Sequence, residues 1–262
     1  MSMTKNINKS YYDKGILLFS FDTAEFQYSK ITEKSIELLR INCPNIPVVV
    51  VGDKIIKSAD WTILADDPQP NVHNLRGPKQ WKNLARVDAY ELSPFDTTII
   101  IDSDYLVYDN NLMKLFESEQ SVLAHRSWCD LNYAEVSNIQ MGNSMIDMMW
   151  ATVLMFRKNK EVKQMFDHWR HAIKNYQYYA ELFGLNKRMV RNDHAFTIAM
   201  AKMQEYGSVQ HTIIPWDIIT ANQNFKVKQI TNKNIVLEDQ HGEITVDQSV
   251  HILNKESLLD AI

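Results

Sequence analysis

The chain has 262 residues, 45% of them hydrophobic and 23% charged, with a formal net charge of −4 from 28 basic and 32 acidic side chains. These values exclude disordered, collagen-like and disulfide-scaffold classes and fit an ordinary globular α/β protein. The acidic balance disfavours nucleic acid as a tightly held partner, because such binding depends on Lys and Arg displacing counterions.

Met1 to Tyr12 are polar and lack the apolar core of a signal peptide. No apolar run approaches the ~20 residues that span a bilayer. Cys43 and Cys129 stand far apart without metal-ligand spacing, which reads as two free thiols in a reducing compartment. A cytoplasmic protein with no membrane span is expected.

Ile16 to Phe21 form a short apolar run, read as a buried first strand. Tyr28, Ile31, Leu38 and Leu39 then recur at helical spacing up to Arg40, and Asn42-Cys43-Pro44 breaks that helix. Pro47 to Val51 are a β-branched run closed by Gly52-Asp53. Strand, helix and strand at this spacing predict the opening of a parallel sheet. Residues 54–78 read as irregular. Lys79 to Leu92 read as helical and end at Ser93-Pro94, since a proline disfavours helical geometry in the residue before it. Thr97 to Ile101 are extended and run into Asp102-Ser103-Asp104.

Further on, Ser121 to His125 and Ala151 to Phe156 read as strands, separated by a loop-like stretch that is methionine-rich from Met141 to Met149. Residues 160–183 read as one long helix with Val162, Met165, Phe166, Trp169, Ile173 and Tyr176 on one face, and Gly184 stands where a C-terminal cap belongs. A second helix is expected from Asp193 to Tyr206, then short strands around 209–214, 226–230, 234–238 and 243–246, with His241-Gly242 as a turn. No internal repeat or domain boundary is visible, so residues 1–262 are expected to form one domain.

The sharpest chemical feature is Ile99-Ile100-Ile101-Asp102-Ser103-Asp104. A buried strand delivers two carboxylates, one residue apart, to the end of a parallel sheet where ligands bind. Two such groups repel unless a cation lies between them. Magnesium and manganese prefer carboxylate oxygen and usually bridge to substrate phosphates, so the local pattern predicts a metal–diphosphate site. A solvated turn at the end of a strand is the commoner meaning of the Asp spacing alone.

The wider segment resembles the glycogenin-like glycosyltransferases, family 8 and its relatives. Arg86 stands sixteen positions before Asp102; Ser93-Pro94-Phe95-Asp96 follows, then the apolar strand into Asp102-Ser103-Asp104-Tyr105-Leu106-Val107. The resemblance implies the GT-A (Rossmann-like) form of the α/β fold, a mainly parallel central sheet with flanking helices. It also implies transfer of a sugar from a nucleotide-diphosphate sugar, in all expectation a UDP-sugar, with metal assistance and retention of anomeric configuration. On this basis a donor-binding half of about 14–125 and an acceptor-side half of about 126–262 are expected.

The same resemblance assigns residues. Asp102, Asp104 and a late histidine, His251, would hold the metal. Arg86 and Lys255 would meet the donor phosphates, with Ser103 beside them. Ser20, Phe21 and Asp22 would lie near the donor base, with Phe26 or Tyr28 to stack on it, and Asp53 is a lesser candidate there. Asp193, in Arg191-Asn192-Asp193-His194, would orient an acceptor hydroxyl, or else cap its helix. Trp128 and Trp150 suit a wall for stacking sugar, although most tryptophans are core. The family's Asn-x-Gly-Val is replaced by Trp150-Ala151-Thr152-Val153, and the glycine and terminal Pro-Trp around the late histidine are absent.

The acceptor stays open at this stage: glycan, protein, lipid-linked sugar, small alcohol or modified DNA. A phage-type transferase acting on hydroxymethylated bases is one alternative, and it would require the base to be flipped from its stack. A haloacid-dehalogenase-like phosphatase also begins with a strand into Asp-x-Asp, but its Gly-Asp motif follows that strand, whereas Gly52-Asp53 precedes it. A catalytically inactive binding protein is the third alternative. Oligomeric state is not legible.

Overall fold

The structure, a computed structural model, describes residues 13–65, 71–73, 79–82, 84–131, 135–136, 139–187, 189–205 and 211–262. Among these residues the central sheet runs in the order β12 (His211–Ile213), β8 (Val122–His125), β11 (Trp150–Arg157), β6 (Thr97–Ile101), β1 (Lys14–Ser20), β2 (Val48–Gly52) and β3 (Trp61–Leu64). Neighbours pair in parallel except at β11, which enters between β8 and β6 and is antiparallel to both. The fold is therefore mixed α/β with a mainly parallel central sheet, as the opening strand–helix–strand pattern predicts.

Helices cover both faces of this sheet. On one face Leu17, Ile100, Leu154 and Phe156 meet Val162, Phe166 and Trp169 of α4 (Lys160–Lys174) and Phe196 and Met203 of α6 (Asn192–Glu205). On the other, Ile16, Ile99, Ile101 and Val153 meet Ile36 and Leu39 of α1 (Tyr28–Asn42) and Leu112 and Leu115 of α3 (Asn111–Leu115). Burial on both faces is why β2 and β6 are almost purely β-branched rather than alternating.

A second sheet has the order β10 (Glu135–Val136), β9 (Trp128–Asp130), β13 (Ile218–Ala221), β17 (Val250–Ile252) and β7 (Tyr105–Leu106). A meander of β14 (Lys226–Ile230), β15 (Ile235–Asp239) and β16 (Gly242–Val246) lies beside it, and β4 (Asn71–His73) pairs with β5 (Lys79–Trp81). A third apolar cluster joins Leu106, Val227, Leu237, Val250 and Ile252 to Leu258 of α7 (Lys255–Asp260) and to Ile31 and Leu38 of α1.

Four expectations change. Residues 54–78, read as irregular, contain β3 and β4, which form because β2 and β5 supply their partners. Lys79–Trp81 is a strand held by antiparallel pairing with β4; among the described residues of that region, only Leu84–Asp88, a 3-10 turn, and the single turn α2 (Ala89–Leu92) are helical. Pairing with a neighbouring strand outweighs a weak local helical pattern there. The long helix over 160–183 is broken at Asn175, whose φ of −110° and ψ of 28° leave the helical region before α5 (Tyr176–Leu182) resumes. Apolar spacing runs on across the break because Tyr176, Tyr179 and Ala180 are also buried, Tyr179 in the same core cluster as α4. Within the expected loop over 126–150, β9 and β10 form because β13, far along the chain, supplies their neighbour.

Gly184 does end its helix in the left-handed region, at φ 65°. Tyr206, the start of the expected strand at 209–214, parts of 54–78 and Met1 to Tyr12 lie outside the described residues. Among the described residues no helix is long and apolar enough to cross a membrane.

Candidate active site

The parallel strand β6 ends in a tight turn. The Tyr105 N–H donates to the Asp102 carbonyl at 3.0 Å, so Asp102 and Asp104 occupy alternate positions of one turn. Antiparallel β11 begins where β6 ends, and the Asp102 N–H donates to the Thr152 carbonyl at 3.0 Å. The second sheet brings the histidine. Strand β17 pairs antiparallel with β7, His251 opposite Tyr105, and the Ile252 N–H donates to the Asp104 carbonyl at 3.0 Å. Two non-local registers thus deliver a carboxylate pair and an imidazole to one point.

One donor atom from each of Asp102, Asp104 and His251 lies within 4.8 Å of the others. The His251 Nε2 is 3.4 Å from the Asp104 Oδ1 and 4.0 Å from the Asp102 Oδ2. The opposite carboxylate oxygens are taken by cations: the Arg86 Nη2 pairs with the Asp102 Oδ1, and the Lys255 Nζ with the Asp104 Oδ2. Each carboxylate therefore turns one oxygen to a cation and the other toward the imidazole.

That donor set fits a divalent metal. Metal–oxygen bonds of about 2.1 Å put adjacent ligands of an octahedron roughly 3 Å apart, close to the spacing found here. Two carboxylates and a neutral imidazole suit manganese or magnesium better than a thiolate-loving ion. Burial pushes the His251 imidazole down to about 4, so its ring is neutral near pH 7, the form that ligates metal. Burial lowers Arg86 to about 10, which leaves it charged, with Asp193 opposing the fall. Burial pushes the Lys255 amine down to about 7, and its ion pair with Asp104 favours the charged form.

Arg86 reaches the turn from the 3-10 segment Leu84–Asp88 and is itself buried. Its Nη1 donates to the Ala151 carbonyl at 2.8 Å, and the Ala151 N–H donates to the Asp193 Oδ1 at 3.0 Å. One residue, Ala151, thus joins Arg86 to the first turn of α6 through its carbonyl and its N–H. Asp193 spends that oxygen on β11 instead of on its own helix, which is a different role from capping. Lys255 opens α7, whose N-terminus is capped by Asn254: its Oδ1 accepts from the Ser257 N–H at 3.2 Å and its Nδ2 donates to the Phe225 carbonyl at 3.0 Å.

Ser103 is buried within the turn. Ser20 to Asp22 leave β1 one strand away, about 4.8 Å, since Leu18 pairs with Ile101. The Ser20 hydroxyl accepts from Thr32 at 2.8 Å, and the Phe21 ring is buried in the core. Burial raises the Asp22 carboxyl, but hydrogen bonds from Lys54 and Ser29 more than offset it and hold the group below the usual carboxylate range. Asp53 accepts from the Asp22 N–H at 3.2 Å, binding the ends of β1 and β2 together. Phe26 and Tyr28 pack edge to face at 6.2 Å. These groups lie at the ends of β1 and β2 and do not join the carboxylate cluster.

A further row was not singled out in the sequence. Asp130 pairs with Thr220, and Thr220 with His251, across β9, β13 and β17. Residues directly opposite in a sheet share a face, so Asp130 and Thr220 extend the face that carries His251. Cys129, Ile219 and Ile252 point the other way. The signal was present only as alternation in strands of three or four residues, too short to read without their partners.

No protein-family model matches the sequence, and no curated protein matches it. Among solved structures, the chain is similar to the glycosyltransferase GlyE of Streptococcus pneumoniae TIGR4, at 13% identity over 76% of this chain and 45% of that one, with a TM-score of 0.45. It is similar to the galactosyltransferase LgtC in complex with donor and acceptor sugar analogues, at 16% identity over 81% and 75%, with a TM-score of 0.44. It is also similar to mouse xyloside xylosyltransferase 1, at 9% identity over 84% and 88%, with a TM-score of 0.47. These likenesses are distant, and this chain spans less than half of GlyE.

Proposed function

We propose that the chain is a metal-dependent glycosyltransferase of the GT-A type, moving a sugar from a nucleotide-diphosphate sugar to an acceptor. The observation that carries this reading is the cluster at the end of β6. Asp102, Asp104 and His251 converge within 4.8 Å while Arg86 and Lys255 hold the outer carboxylate oxygens. Few activities need two carboxylates, a neutral imidazole, a buried arginine and a half-buried lysine at the mouth of a parallel sheet. Binding and cleaving a diphosphate ester is one that uses all five.

In this reading Asp102, Asp104 and His251 hold manganese or magnesium, which supplies Lewis-acid stabilisation of charge on the leaving diphosphate. Arg86 and Lys255 are preorganised donors for the same charge and need little rearrangement as it develops. The donor base lies toward Ser20, Phe21 and Asp22, and Ser103 lies beside the diphosphate. The acceptor oxygen attacks the anomeric carbon as the bond from that carbon to the phosphate oxygen breaks. Its proton passes to the departing phosphate, in keeping with a retaining reaction. Asp193 orients the acceptor side through Ala151, and Asp130 and Thr220 offer further polar groups on the same face. The donor half is residues 14–125 and the acceptor half 126–262 of one unit.

A thermal-shift screen of UDP, GDP and CDP, each with and without manganese, tests the reading, because a ligand that binds only the native state raises Tm. One nucleotide should shift the melting point only with metal, and Asp104→Asn should remove the shift. A melting point unmoved by every nucleotide and metal would count against a nucleotide-sugar enzyme.

A further inference from the structure

On the acceptor side, Arg191 is held in an unusual setting. Its guanidinium lies over the Trp150 ring at 6.0 Å, and Trp150 packs edge to face on Trp128 at 6.4 Å. Trp150 immediately precedes Ala151, the residue that joins Arg86 to Asp193. The tryptophan pair thus forms a pedestal for a cation, with the arginine over one ring face.

The backbone of Arg191 is anchored as well. Its carbonyl accepts from the Ala195 N–H at 3.1 Å, and its main chain meets the Tyr176 hydroxyl. That hydroxyl is also 2.7 Å from the His194 Nδ1. The side chain is 42% exposed, and its ion pair among the described residues is with Asp193 at the long distance of 3.5 Å. A guanidinium carries five N–H donors in a planar fork. Held over an indole, it is oriented before any ligand arrives, and its side chain is open to solvent. That combination suits bidentate recognition of a phosphate or carboxylate.

We propose that Arg191, seated on Trp150 and Trp128, is a specificity-determining residue that receives a phosphate group of the acceptor. The proposal rests on the transferase reading for its place beside the reaction centre. Asp193 and Arg86 link it to the carboxylate cluster, so a phosphate held by Arg191 lies on the acceptor side of the transferred sugar. Two sources present this chemistry: a phosphorylated sugar and the phosphodiester of a nucleic acid strand.

The test compares glucose 6-phosphate, glucose and a ten-nucleotide oligothymidylate by calorimetry, with tryptophan fluorescence as the second readout. Wild-type protein should bind at least one phosphate probe tenfold or more tightly than glucose. Arg191→Met should bring that probe down to the level of glucose, Arg191→Lys should recover part of the difference, and Lys228→Met, on the exposed face of β14, should retain it. Whichever of sugar phosphate and oligonucleotide binds more tightly assigns the source. Phosphate binding unchanged in Arg191→Met, or a wild-type protein that does not prefer phosphate over glucose, would overturn the proposal. Manganese-dependent binding of pyrophosphate should survive in Arg191→Met. Its absence from the wild type would instead sink the transferase reading, which separates the two failures.

Discussion

Burial holds the imidazoles of His125 and His194 down to about 4, and each lies outside the carboxylate cluster. His125 is packed at the end of β8 against Trp216, and His194 bonds the Tyr176 hydroxyl. An unfolded histidine takes its proton near pH 6.5, whereas these two do so only near pH 4. As pH falls from about 6.5 toward 4, the unfolded chain binds more protons than the native one, and stability drops. Above pH 6.5 the contribution is flat. At pH 5 the loss is on the order of 2 kcal/mol for each histidine. Urea unfolding at pH 7.5 and pH 5.0 should show the midpoint falling, and His194→Gln should reduce that fall. A midpoint equal at both pH values would contradict the burial assigned to these rings.

Two short helix ends show how elements set the site. The cap at Asn254 anchors α7, and Lys255 follows it directly, so Asn254→Ala removes a bond to the helix and a bond to Phe225 together. Loss of an N-cap costs about 1 kcal/mol. Because Lys255 loses its fixed approach to Asp104, affinity for diphosphate should fall severalfold while Tm falls only a few degrees. Calorimetry with pyrophosphate and manganese, beside a melting curve, measures both. Equal binding in the variant would show that Lys255 is positioned by its contact with Asp104 alone. At the other helix, Gly184 has a φ of 65°, and an added Cβ would lie 2.5 Å from the Asn143 Nδ2. Gly184→Ala should cost roughly 1–2 kcal/mol from the left-handed backbone, read as a lowered urea midpoint with diphosphate binding retained.

At the scale of the molecule, what was legible follows the range of the interactions. The β-branched runs at Val48–Gly52 and Thr97–Ile101 announce strands buried on both faces, because both demands fall on consecutive residues. Asp102 and Asp104 were legible for the same reason: the turn that presents them is local. The break at Asn175 was hidden because the apolar face continues through it, and β5 was mistaken for helix because its partner β4 sets its geometry. His251 and Lys255 were named through a family resemblance, but their arrival at the carboxylates depends on β17 pairing with β7, which no local pattern encodes. The row from Asp130 through Thr220 to His251 lies wholly in such registers. The placing of Arg191 over Trp150 likewise depends on α6 meeting β11.

The central claim is that Asp102, Asp104 and His251 hold one divalent cation together with a nucleoside diphosphate. Manganese titration followed by the electron paramagnetic resonance signal of the free ion measures this most directly, with UDP, GDP and CDP each present in turn. One manganese should bind per chain when the right nucleotide is present, and that binding should be lost in both Asp104→Asn and His251→Ala. Manganese binding that is absent with all three nucleotides, or that persists undiminished in both variants, would contradict the central claim.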